Sequence, residues 1–229
     1  MRSIMPRKYF FIFCFLACLP AIILIANRVD SATPRQRAIP LVSPSPAPFM
    51  SPADALQKAR AEADWVVSCQ RASGALTLNP GGVNINPYFA NLAIMPLSEL
   101  GADYRLAVKK YIQWYLAKYN RAPDNLGVVG TIYDYAVTDQ GETPKYLVDS
   151  ESKNYDSSDS YAATFLSVAR AYQKNYGDRE WIKQITPDLK IIAGAIEATR
   201  QANGLTFAKL NYDTQYLMDN TEVWRGGED

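Results

Sequence analysis

The chain has 229 residues, 48% of them hydrophobic, with 24 basic residues against 23 acidic ones and no histidine. That length allows one domain or two with an ample core. The missing histidine excludes Ser-His-Asp and Cys-His hydrolases and any histidine-ligated zinc or haem. Acid–base chemistry is left to carboxylates, lysine or tyrosine.

Arg2, Arg7 and Lys8 precede an apolar run, Tyr9–Ala26, broken only by Pro20. Basic and then apolar is the order of a secretory signal or an uncleaved membrane anchor, so residues 1–26 place the domain outside the cytoplasm, secreted or held to a membrane. The run is short for a span. Neither Leu24–Ala26 nor Asp30-Ser31-Ala32 makes a good cleavage site, which favours the anchor. Phe15-Leu16-Ala17-Cys18 hints at a lipoprotein box, but the apolar run continues past Cys18. Beyond Ala26 there are 21 basic and 23 acidic residues. That balance lacks the basic footprint of a nucleic-acid binder. Cys14 and Cys18 lie in the run, so Cys69 has no partner for an internal disulfide and is expected as a buried apolar residue. Pro34, Pro40, Pro44, Pro46 and Pro48 make residues 27–50 an extended linker, and the folded domain is expected over 51–229.

Ser51-Pro52 caps a first helix reaching about Arg71, with Trp65 as its buried bulk. Residues 75–78 and 83–86 around Asn79-Pro-Gly-Gly82 predict a short hairpin. Asn86-Pro87 opens a second helix with Phe89, Leu92 and Ala93 inside and a bend at Pro96. A third, from Asp103 to Tyr119, buries Tyr104, Val108, Tyr111, Ile112 and Tyr115, with Trp114 also read as core. Residues 131–138 and 145–148 flank Asp139-Gln-Gly141 as another hairpin. The fourth helix follows Asp156-Ser-Ser158, buries Tyr161, Phe165, Val168 and Tyr172, and closes at Gly177. The fifth starts at Asp178, carries Trp181 as a core residue, breaks at Thr186-Pro187 and resumes to Gly204. A strand pair near 205–212 leads to Asp219-Asn-Thr-Glu222, a capping-box-like start of a sixth helix that Gly226-Gly227 should weaken.

The unit is helix, glycine turn, helix, long loop, with the even helices opening roughly 65 residues apart at Asn86, Asp156 and Asp219. Such a repeat means a toroid or a superhelical solenoid. In a toroid the alternate helices form an inner ring and start on one face, where a site would be built. The expected fold is all-α: an incomplete (α/α) toroid of helix hairpins with short β-hairpin loops on one face.

Asn86-Pro-Tyr-Phe-Ala-Asn-Leu-Ala93, Tyr155-Asp-Ser-Ser-Asp-Ser-Tyr-Ala162, Ala171-Tyr172 to Gly177-Asp178, and Tyr216-Leu-Met-Asp-Asn-Thr-Glu-Val-Trp224 carry a resemblance. From Ser51 onward the chain resembles bacterial proteins of the six-hairpin glycosidase superfamily. That resemblance implies an (α/α)6 barrel, a catalytic Asp or Glu on loops and inner-helix starts, and inversion as the commoner outcome. A full ring has twelve helices. This chain supplies five and the start of a sixth, so an impaired site and self-association through the open ring edge are expected.

Each candidate residue also has a structural reading. Asp156 and Asp159 open a helix and serve as caps, or else exchange protons at a glycosidic oxygen. Glu222 and Asp219 are a capping box or a carboxylate pair, with Glu222 taken as catalytic and Asp219 as sugar-binding. Asp134 between Tyr133 and Tyr135 suits a sugar subsite or ordinary strand propensity. Tyr88, Asn91, Tyr135 and Trp224 complete the binding set. No cofactor or metal is expected. The partner is an oligo- or polysaccharide, with contact to a membrane through the N-terminal segment and none to nucleic acid. Two other classes compete with a carbohydrate-active enzyme. A non-catalytic glycan- or protein-binding envelope domain is one, and a terpenoid-cyclase-like toroid is the other, ranked last for want of an Asp-rich motif.

Overall fold

The structure, a computed structural model, describes residues 50–146 and 152–228. The apolar run, residues 27–49 of the linker, and Leu147 and Val148 of the second expected hairpin lie outside these residues.

Six α-helices and a small antiparallel sheet make up the described domain. Helix α1 (Pro52–Ser68) starts where Ser51 Oγ accepts the Asp54 amide at 3.1 Å, with proline at the first helical position. It lies at the edge, burying only Ala63 within its span. Trp65 is 38% exposed, not core. Helix α2 (Pro87–Ile94) is capped by Asn86, whose side-chain oxygen accepts the Phe89 amide at 3.0 Å. Its buried side is Ala90, Asn91 and Ile94, and Phe89 faces out. The inward face is turned from the expected one because Asn91 is drawn into a polar knot between helices. Around Pro96, which lacks the amide an α-helix would use, the chain runs as a 3-10 turn, Met95–Glu99. After a second such turn comes α3 (Arg105–Lys118), with Val108, Tyr111, Ile112, Trp114 and Tyr115 buried.

The sheet differs from the two expected hairpins. Strand β1 (Asn84–Ile85) pairs with β2 (Tyr135–Thr138), while residues 75–78 form no strand with it and meet it through the Leu78 amide, which donates to the Asn84 carbonyl at 2.9 Å; β2 turns into β3 (Gly141–Pro144) through Asp139-Gln140. The hairpin reading missed this because β1 is short and its partner lies some 50 residues on, a pairing that local turn chemistry does not encode. Residues 205–212 form two isolated bridges, Arg200 with Thr206 and Lys209 with Tyr212, and no strand.

Helix α4 (Asp159–Tyr176) is the hub: eleven of its eighteen residues are buried, and α2, α3, α5 and α6 all pack on it. Gly177 ends it in the left-handed region at φ 66°, which lacks the steric penalty a Cβ would bring there. Asp178 then pins the turn. One of its oxygens accepts from Lys109 Nζ (2.8 Å), Tyr172 Oη (3.0 Å) and Arg105 Nη2 (3.1 Å). The Lys109 bond leads in holding this carboxyl down at about 2. Helix α5 (Arg179–Thr199) runs unbroken through Pro187. Helix α6 (Leu217–Glu228) begins two residues before Asp219 and carries Gly226 and Gly227 within it.

Candidate functional site

Three helix starts meet at one cleft of about 400 Å³. Helix α2 brings Tyr88 from its first turn. The entry to α4 brings Asp156, Ser157, Ser160 and Tyr161. The loop into α6 and its first turn bring Lys209, Tyr212, Tyr216 and Asp219. These are alternate helices in chain order, and α2 and α6 each pack on α4, with their first turns lining the same cleft.

Tyr88 and Tyr161 form an aromatic wall, their rings stacked with centroids 5.9 Å apart and planes 20° apart. Each hydroxyl is tied to a half-buried carboxyl. Tyr88 Oη donates to Glu222 Oε1 at 2.7 Å, and Tyr161 Oη to Asp134 Oδ1 at 3.1 Å. Asn86 braces the second pair, its amide donating to Asp134 (3.1 Å) and to Tyr161 Oη (2.9 Å). A second tyrosine pair, Tyr212 and Tyr216, joins hydroxyl to hydroxyl at 2.9 Å and is nearly half exposed.

Burial sets the electrostatics. It pushes Asp219 up to about 6, reinforced by the charges of Asp159 and Asp156 and opposed by its own backbone amide. Asp134 is likewise raised to about 6 by burial, against the pull of Tyr161 and Lys145. Glu222 is raised to about 7, again by burial first, and its Oε2 is buried without a hydrogen-bond partner. A carboxyl with one oxygen dry and unpaired favours its protonated form. Asp156, by contrast, faces solvent.

The remaining expected residues are placed elsewhere. Asp159 is fully buried behind the cleft, its carboxylate accepting from Ser157 Oγ (2.6 Å), the Ser160 amide (2.7 Å) and Thr206 Oγ1 (2.6 Å). It ties the α4 start to the 206 loop. Asn91, also fully buried, donates to the Tyr161 carbonyl and Thr164 Oγ1 and accepts from Tyr111 Oη. Tyr135 is packed edge-on to Trp114 and donates to the Lys118 carbonyl. Trp224, 70% exposed on α6, is not among the cleft residues.

Lys209, Tyr212 and Tyr216 were not among the candidates from sequence, and Tyr161, expected in the core, is buried there and also lines the cleft. The signal for Tyr212 and Tyr216 was there: two tyrosines four apart immediately before a helix start. A smaller hollow of about 290 Å³ beside Cys69 has no carboxylate in its lining. Cys69 itself is buried and donates to the Trp65 carbonyl, and burial raises its thiol. Among the described residues no group of three metal-ligating side chains gathers, and no helix is long and apolar enough to cross a membrane. Comparison with known proteins yields no family model, no curated protein and no solved structure that matches the chain.

Proposed function

We propose that this chain is an extracytoplasmic carbohydrate-active protein, glycoside hydrolase-like, whose site lies at the converging starts of α2, α4 and α6 on a partial (α/α) toroid. The observation that carries the reading is one cleft holding a buried, raised carboxyl, Asp219, and a water-facing one, Asp156, among four tyrosines. Tyrosine faces stack on the C–H surfaces of pyranose rings. Two carboxyl groups in unlike surroundings divide the acid and base roles of glycosidic hydrolysis. In this assignment Asp219 gives its proton to the glycosidic oxygen as the C1–O bond breaks. Asp156 takes the proton of the water that attacks C1. Glu222 acts through Tyr88, whose hydroxyl it holds, and Asp134 acts likewise through Tyr161. The chemical role thus passes from Glu222 to Asp219, because Asp219 lines the cleft. The packing of α2 and α6 on α4 supports an inner ring of alternate helices. The apolar run Tyr9–Ala26 supports an extracytoplasmic place.

The test is titration with cell-wall and plant oligosaccharides, with reducing-end release assayed in parallel. Wild type should bind at least one glycan. The isosteric Asp219→Asn and Asp156→Asn variants should keep that binding within a few-fold while any turnover falls by about 10²–10⁴-fold. Proton NMR of the first-formed anomer distinguishes inversion from retention. Binding without turnover in wild type would make this a glycan-binding module rather than an enzyme. If no glycan perturbs the protein, the carbohydrate reading fails.

A further inference from the structure

The cleft contains one cation that its own side chains leave uncompensated. Lys209 is the single basic residue among the described residues that line it. Its ammonium donates to the Tyr155 carbonyl at 3.0 Å and lies 5.9 Å from the Tyr155 ring centroid. Among the described residues no carboxylate comes within ion-pair distance of Lys209, although Asp156 and Asp219 share its cleft. An ammonium has three donors and one is used here. A half-buried charge short of acceptors is costly unless something supplies them, and the open side of this one is the cleft.

We infer that the cleft takes an anionic glycan and that Lys209 is its specificity-determining residue, pairing with a single acid group on the sugar, a uronate or a sulfate monoester. This rests on the carbohydrate reading above. The acid group sits at the lysine, and the glycosidic bond lies towards Asp156 and Asp219.

The experiment uses the full chain and matched pairs of ligands: hexuronate oligosaccharides with their methyl esters, and sulfated oligosaccharides with their desulfated forms. Affinities are measured by calorimetry at fixed ionic strength. Wild type should bind the acid of at least one pair about fivefold or more tighter than its neutral partner, as a charge-assisted hydrogen bond implies. Which pair shows the preference names the acid. Lys209→Met should abolish the preference between acid and neutral partner, and Lys209→Arg should restore it. Equal affinity of wild type for acid and neutral partner in both pairs overturns the inference, and that comparison needs no variant to fold. A preference that survives Lys209→Met overturns it as well. Binding of neutral glycans without preference would leave the carbohydrate reading standing and this one refuted. Absence of all glycan binding would refute both.

Discussion

Glu222 is held at a cost. Its unfolded value is near 4.5 and burial raises it to about 7 in the fold. The folded state therefore grips the proton more tightly than the unfolded one, and stability falls as pH rises from about 4.5 through about 7. Above that range the penalty is constant, on the order of 1–2 kcal/mol once partial exposure is allowed for. Glu222→Gln keeps an acceptor for Tyr88 and removes the charge. It should melt like wild type at pH 4.5 and several degrees higher at pH 8, read by thermal unfolding across pH. An equal shift at both pH values would mean that the glutamate is not buried against its charge. Asn91 has the opposite character, because every polar atom of its side chain is bonded. Asn91→Ala removes three buried hydrogen bonds and leaves a cavity between α2, α3 and α4, and should cost about 2–4 kcal/mol in denaturant unfolding. At this scale the sequence was half legible. Residue type and helix-start position pointed to Tyr88, Asp156 and Asp219, which line the cleft. The same signals pointed equally to Asp159 and Asn91, which are buried structural groups. Capping carboxylates and cleft carboxylates occupy the same turn, and only the packing of the 206 loop over Asp159 separates them.

Helix punctuation has physical force: Ser51 and Asn86 each accept a backbone amide at the helix start the sequence predicts, and Gly177 turns left-handed where α4 stops. Glycine read as a breaker misled at α6. Gly226 lies inside the helix because a Cβ there would meet the Ala163 carbonyl oxygen at 2.7 Å and the Ala163 Cα at 2.9 Å. Those are backbone atoms of α4 and cannot swing aside, so the missing side chain is what lets α6 sit on the hub. Gly227 has open space at the same point. The pair gives a clean contrast. Alanine is the better helix former by about 1 kcal/mol, so Gly227→Ala should stabilise the domain by about 0.5–1 kcal/mol. Gly226→Ala should instead destabilise it by about 1–3 kcal/mol through overpacking, despite the same gain in propensity. Chemical denaturation of both variants checks the sign. If both stabilise, α6 does not approach α4 as closely as the structure has it. Pro187 was misread for a related reason: local preference sets where a helix tends to end, but packing of Ile182, Ile185, Ile192 and Ile196 holds α5 together across it.

For the whole molecule, the predominance of helices was legible because helix period and glycine turns are local. The sheet that joins β1 to β2 was not, because its register is fixed by chain segments far apart. What the fold leaves uncovered follows from the position of α6. One side of this helix packs on α4, with Gly226 at the contact. Leu217 and Trp224, seven residues apart and so on one stripe, are 82% and 70% exposed, and Met218 is 57% exposed. Large apolar side chains so displayed are rare on isolated domains unless something meets them. Self-association is the expected outcome for this chain, with two copies of the stripe burying each other. Sedimentation velocity over roughly 1–100 μM should show a concentration-dependent rise in mass for the full chain, as mass action demands of a reversible dimer. The double variant Leu217→Glu, Trp224→Glu, run in the same buffer or detergent, should hold one mass throughout. Its circular dichroism should match wild type, since neither residue contributes to the core. Were the variant to associate as strongly as wild type, the contact would lie away from α6, and the stripe would have to be explained by something other than a second copy.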